Sequence, residues 1–84
     1  MNKTDINKKP KFDPKTLNAF DRVLVRDRGV ECWRCTLYSH TEEQRKFKYM
    51  TLECAYKFCI PYNNDTKHLV GTSDEAPEYY RYWE

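Results

Sequence analysis

The sequence predicts a small, mostly β domain: an antiparallel SH3-like barrel or strongly bent sheet of about five strands, ending in a short C-terminal helical turn or tail. Three observations carry that expectation. Apolar and polar residues alternate in several short runs between Phe20 and Val70, where helical periodicity is nearly missing. The runs recur about every 8 to 12 residues with turn chemistry between them, the spacing of small β architectures. Finally, 84 residues leave room for one core. Thirteen of them are Phe, Tyr or Trp although the mean hydropathy is −1.00, so large rings have to build that core from few positions.

The first strand is expected over residues 21–27, DRVLVRD, with Val23 and Val25 on one dry face and Arg22, Leu24 and Arg26 on the other. Asp27-Arg28-Gly29 follows as a turn in which Gly29 takes positive φ at no steric cost. Residues 31–38, ECWRCTLY, set Trp33, Cys35 and Leu37 opposite Cys32, Arg34, Thr36 and Tyr38, and pair with the first run as a hairpin. Residues 40–46, HTEEQRK, hold no apolar side chain and read as a solvated loop or a short turn of helix. The third strand is expected over 47–52, with Phe47, Tyr49 and Thr51 facing away from Lys48, Met50 and Leu52. The fourth spans 56–62, where Tyr56, Phe58, Ile60 and Tyr62 alternate with Lys57, Cys59 and Pro61. Pro61 donates no ladder bond and marks an edge or an end. Asn63-Asn64-Asp65 turns the chain, and His68-Leu69-Val70 returns as a short fifth strand. A capped helical turn is expected from Ser73 or Asp74, kept short by Pro77.

Charge divides the chain into three parts. Residues 1–17 read as a basic, flexible N-terminal arm, with five lysines against two aspartates in its first fifteen positions. Residues 18–73 form the β domain. Residues 74–84 form an acidic tail in which four carboxylates face Arg81 alone. The overall charge of +2 conceals this gradient. Arm and tail are placed to attract each other within a monomer or across subunits; the plain alternative is two solvated, frayed ends. The tail also holds Tyr79, Tyr80, Tyr82 and Trp83 among its last six residues. Such a segment is expected to pack on the sheet or on a neighbouring subunit, which makes those four rings the expected interface of a homo-oligomer.

No stretch approaches the roughly 20 apolar residues of a membrane helix. The opening MNKTDINKKPKFDPK lacks the apolar centre of an export signal, so a reducing cytoplasm is expected. There four cysteines are free thiols or metal ligands rather than disulfides. Cys32-x-x-Cys35 and Cys54-x4-Cys59, eighteen residues apart, invite a four-sulfur zinc site. Two features weigh against it: Cys32 and Cys35 fall on opposite faces of a strand, and no turn glycine or proline lets their thiolates converge. Buried cysteines acting as small hydrophobes are therefore the first reading, with no cofactor, and zinc is the second.

Catalysis has little support. His40 and His68 sit in solvated positions, no third group orients a Cys–His pair, and Gly29 and Gly71 stand too far apart to cradle a phosphate. The chain reads as a binding protein rather than an enzyme. Arg22, Arg26, Arg34, Lys48 and Lys57 occupy outward phases of their strands, interleaved with Tyr38 and Met50. On a curved sheet such a surface stacks a base and holds its phosphate. The plain alternative is the polar face of a half-buried sheet.

The residues of this reading also carry a family likeness. Phe20 to Asp27 (FDRVLVRD), Trp33-Arg34 with Tyr38-Ser39-His40, Cys59-Ile60-Pro61-Tyr62-Asn63, and His68-Leu69-Val70-Gly71-Thr72 with Pro77-Glu78-Tyr79 resemble a recurring family of small proteins from phages and gut bacteria. The resemblance covers about residues 20–79. It implies a phage-type gene context, a common compact domain and the cytoplasm of a bacterial host, and it brings no activity or functional residue with it. Small phage proteins without catalytic machinery are often virion parts, nucleic-acid accessories or inhibitors of host defence. The expected function is thus a non-enzymatic module that sequesters an anionic nucleotide signal in a counter-defence role. Arg22, Arg26, Arg34, Tyr38 and Lys48 are its expected ligand residues. The alternatives are a structural or interaction protein that grips a host or virion protein surface, and a weak single-stranded nucleic-acid binder.

Overall fold

The computed structural model describes residues 10–84. Five antiparallel strands form one sheet in the order β4-β3-β2-β1-β5: β1 (Arg22–Arg26), β2 (Arg34–Thr41), β3 (Tyr49–Thr51), β4 (Ala55–Tyr56) and β5 (Phe58–Pro61). β1 and β2 make the expected hairpin, with Leu24 opposite Cys35 and Val25 opposite Arg34. β5 lies on the other side of β1, with Leu24 opposite Ile60.

The sheet bends because β2 serves two partners in turn. Its first half pairs with β1, and its second half pairs with β3 after a register shift between Tyr38 and His40. An extra residue in one strand bends it and sharpens its twist. β4 and β5 lie at opposite edges of the sheet, yet only Lys57 separates them. At this kink the Lys57 N–H leaves the ladder and donates to the Asp27 carboxylate at 2.9 Å. No ladder joins β4 to β5, so the SH3-like barrel is not closed, and the bent sheet is the form the chain adopts.

The curvature produces two apolar clusters. Val23, Val25, Tyr38, Tyr49 and Cys59 meet on the inner face, with Leu17 and Tyr56 against them. Leu24 and Ile60 project from the other face and are covered by Trp33, Leu69, Ala76 and Tyr80. β1 therefore has two dry faces where alternation predicted one, and Leu24 is as deeply buried as the valines. In β2 the expected dry face also changes: Thr36 and Tyr38 are buried and Cys35 is exposed, because the face that carries Tyr38 is the inner one.

The later elements depart further from the alternation pattern. Trp33 precedes β2 and forms an isolated parallel bridge with Val70. Its N–H donates to the Thr72 carbonyl at 2.8 Å and its indole Nε1–H to the Asp74 carbonyl at 2.8 Å. The expected fourth strand splits at Lys57. The expected fifth strand is instead a 3-10 turn, Lys67–Leu69, anchored by the Lys67 N–H on the Asn63 carbonyl at 2.8 Å. The helical turn expected from Ser73 or Asp74 lies later, as a 3-10 turn at Glu78–Tyr80. Positive φ falls on Gly71 and Phe20, and Gly29 turns without it.

The aromatic tail packs on its own sheet. Tyr80 is buried, the Trp83 ring packs tilted at 57° with its centre 4.7 Å from that of Phe58, and Tyr82 touches both clusters. The Tyr82 hydroxyl donates to the Cys59 carbonyl at 2.7 Å and accepts from the Cys59 N–H at 3.3 Å, which occupies the outer edge of β5. Pro61 has no N–H, and its carbonyl accepts from the Thr66 hydroxyl at 2.6 Å, so this edge presents few free groups for pairing. Arm and tail meet within one chain: the Phe12 N–H donates to the Tyr79 carbonyl at 2.8 Å, and Lys11 lies 3.8 Å from Glu84. Residues 1–9 of the expected arm lie outside the described residues. No helix among the described residues is long and apolar enough to cross a membrane.

Candidate functional site

The kink at Lys57 leaves a cleft of about 450 Å³ where the N-terminal segment, the β3 and β5 strands and the tail converge. Its floor is aromatic: Phe12, Tyr49, Phe58, Tyr82 and Trp83 line it. The rings are tilted rather than coplanar, with Tyr82 and Trp83 at 75° and Phe12 and Tyr82 at 57°. In the edge-to-face Tyr82–Trp83 pair the edge of one ring covers the face of the other, and Tyr49 is buried, so Phe12, Phe58, Tyr82 and Trp83 present only part of their ring surface to the cleft.

The rim is basic. Lys15, Lys48 and Lys57 face Asp13 and Glu43, three cations against two carboxylates. One carboxylate is engaged locally, since Asp13 accepts from the Lys15 N–H at 2.9 Å and caps the 3-10 turn Pro14–Thr16. Lys48 Nζ lies 3.5 Å from Glu43 and 5.7 Å from the Tyr49 ring centre. Lys15 and Lys57 form no ion pair with any other of the described residues. The cleft therefore sets partly exposed aromatic rings beside Lys15 and Lys57, which have no ion-pair partner among the described residues, a combination that suits a ring bearing negative charge.

Of the five ligand residues expected from the sequence, this cleft contains Lys48. Arg34 and Arg26 together line a separate depression with Asp27, Glu31, Cys32 and Tyr56. Arg22 lies on the outer face, its guanidinium 5.4 Å from the Tyr62 ring. Tyr38 is buried in the inner cluster and its hydroxyl meets Thr41. Arg26, expected to point outward, is only 7% exposed. Its Nη1 donates to the carbonyls of Gly29, Glu31 and Ser73, and its guanidinium sits 4.1 Å over Trp33. Burial draws its pKa below the ordinary arginine value, with Glu75 and Glu31 opposing.

Strand alternation missed Phe12, Lys15 and Phe58 as site residues, whereas packing of Trp83 on the chain's own sheet is one of the two arrangements expected for the tail. Phe12 and Lys15 lie in the segment read as a free arm, although an isolated ring between lysines was a visible cue. Among the tail rings, Tyr79 remains 51% exposed and Tyr80, Tyr82 and Trp83 serve the fold of this chain.

The cysteines differ from the first reading too. Cys59 is buried, while Cys32, Cys35 and Cys54 are exposed, and all four are free thiols. Burial pushes the Cys59 thiol up to about 12. Among the described residues no group of three or more His, Cys, Asp or Glu side chains is arranged to hold a metal ion. A Ser39–His40–Glu42 relay lies on the surface, with Ser39 Oγ 2.9 Å from His40 Nδ1 and His40 Nε2 2.9 Å from Glu42. The His40 side chain is 57% exposed, so water competes for its protons. The His40 bond, followed by Arg45, holds the Glu42 carboxyl below its ordinary value.

Compared with family models, curated proteins and solved structures, the chain matches none. The functional argument therefore rests on the cleft.

Proposed function

We propose that the protein is a non-enzymatic binding module whose aromatic, lysine-rimmed cleft captures a small anionic ligand with a flat ring, a nucleotide above all. The observation that carries this reading is the convergence of Phe12, Phe58 and Trp83 with Lys15, Lys48 and Lys57 on one depression. Base stacking on an aromatic side chain contributes about 1–3 kcal/mol, and each nearby ammonium adds attraction for a phosphate. In a phage-type setting, a protein that holds a nucleotide without consuming it acts by sequestration, which is the chemistry a counter-defence role needs.

Calorimetry against a panel of linear and cyclic nucleotides tests the proposal. Binding tighter than about 1 mM is expected, weakening with added salt, with Lys15→Glu and Lys57→Glu each lowering affinity about tenfold. Both positions are exposed, so these variants keep the fold. Absence of binding across the panel, or affinity unaffected by both reversals, sinks the reading.

A further inference from the structure

The cleft contains a counter-ion of its own. Glu43 lines it together with Asp13, and Glu43 Oε1 lies 3.5 Å from Lys48 Nζ. The backbone brings these two side chains together. Thr41 pairs with Tyr49 at the end of the β2–β3 ladder, and the Glu42 N–H then donates to the Lys48 carbonyl at 2.8 Å. The Arg45 N–H returns to the Glu42 carbonyl at 3.1 Å, so Glu43 begins a closed turn directly after the residue that meets Lys48. The Glu42 carboxylate is taken up by His40 at 2.9 Å and Arg45 at 3.4 Å. Glu43 is thus the carboxylate that this connection gives to the cleft.

The charge of the rim is consequently small. Lys15, Lys48 and Lys57 against Asp13 and Glu43 leave one positive charge among the described lining residues. Lys48 is already matched by Glu43. The backbone N–H that Asp13 accepts at 2.9 Å is a neutral partner and cancels none of its charge. A first negative charge on a ligand meets Lys15 and Lys57, which have no ion-pair partner among the described residues. Every further charge comes beside two carboxylates with no cation left to match it, and such repulsion discriminates between ligands as a new attraction does.

We propose that Glu43 sets the charge class of the ligand: the cleft takes a ring joined to a singly charged phosphodiester in preference to a phosphomonoester or a polyphosphate. This rests on the reading of the cleft as a nucleotide site. A phosphomonoester carries about two negative charges at neutral pH, because its second pKa is near 6, and a triphosphate carries more. A phosphodiester has no second proton to lose and stays at one charge, the charge that the rim matches.

Calorimetry of the full chain in magnesium-free buffer tests this, with adenosine and guanosine each supplied as the 3′,5′-cyclic monophosphate, the 5′-monophosphate and the 5′-triphosphate. A dinucleoside monophosphate serves as a second phosphodiester of different shape. Wild type is expected to bind the phosphodiesters of its preferred base at least about tenfold more tightly than the triphosphate at low salt. Glu43→Gln is expected to bring that ratio below about threefold by strengthening triphosphate binding. The Glu43–Lys48 pair is exposed and contributes little to stability, so this variant keeps the fold. Glu53→Gln removes the same charge from a residue outside the cleft lining and is expected to leave the ratio unchanged. A triphosphate bound as tightly as the phosphodiesters, a ratio indifferent to Glu43→Gln, or one changed equally by Glu53→Gln overturns the role of Glu43 and leaves the nucleotide site standing. Binding of none of these ligands removes both.

Discussion

Arg26 shows how a residue that looks like surface becomes part of the core. Its guanidinium gathers three backbone carbonyls, one of them 47 residues away at Ser73, and stacks on Trp33. A buried charge is tolerated when its donors are satisfied, and removing it leaves carbonyls without partners. Arg26→Met is therefore expected to cost about 2–4 kcal/mol in urea denaturation. Arg26→Lys should recover little of it, because an ammonium has neither the planar fork nor the stacking face. A lysine variant within about 0.5 kcal/mol of wild type contradicts this account. In the sequence Arg22 and Arg26 have the same alternation and the same local chemistry. What separates them is the return of residues 71–74 past Trp33, a contact that strand periodicity does not encode.

At the scale of elements, β5 and the tail stabilise each other. The Tyr82 hydroxyl stands in for a neighbouring strand by satisfying both backbone groups of Cys59. Tyr82→Phe keeps the ring packing and removes these bonds, for an expected loss of about 1–2 kcal/mol. Hydrogen exchange reads the same change locally: the Cys59 amide should exchange faster in the variant while Leu24 keeps its protection. Equal protection at Cys59 in both proteins rules out the edge role. The positions of β1, β2 and β3 along the chain were legible from alternation, but their buried faces were not, since β1 is buried from Val23 through Arg26 and β2 buries Thr36 and Tyr38 rather than Cys35. The division of the 56–62 run was not legible either, because its alternation continues unbroken through Lys57. The kink arises from Asp27, whose carboxylate takes the Lys57 N–H thirty residues further along.

The whole molecule is a bent sheet with an apolar cluster on each face, and its inner cluster contains groups that resist ionisation. Burial pushes the Cys59 thiol from an ordinary value of 9.0 to about 12, and burial also raises the Tyr82 and Tyr49 hydroxyls. These groups hold their protons more tightly folded than unfolded. Their contribution is complete below about pH 9 and falls as pH climbs toward 12, with Cys59 alone accounting for about 4 kcal/mol over that range. Urea midpoints between pH 8 and 11 should decline steadily, and Cys59→Ala should flatten the decline. A wild-type profile flat across this window disproves the assignment.

The sequence by itself determined the fold class, the hairpin of β1 and β2, the small count of strands and the dependence on aromatic rings. Those properties follow from local periodicity, turn chemistry and composition. The tertiary structure decided that β1 is dry on both faces, that Arg26 is buried and that the tail belongs to its own core. It also gathered Phe12, Lys48, Lys57 and Trp83 around one cleft. Each outcome depends on segments far apart in sequence meeting across a bent sheet. Alternation states only that two faces differ; the curvature and the covering segments decide what each face meets.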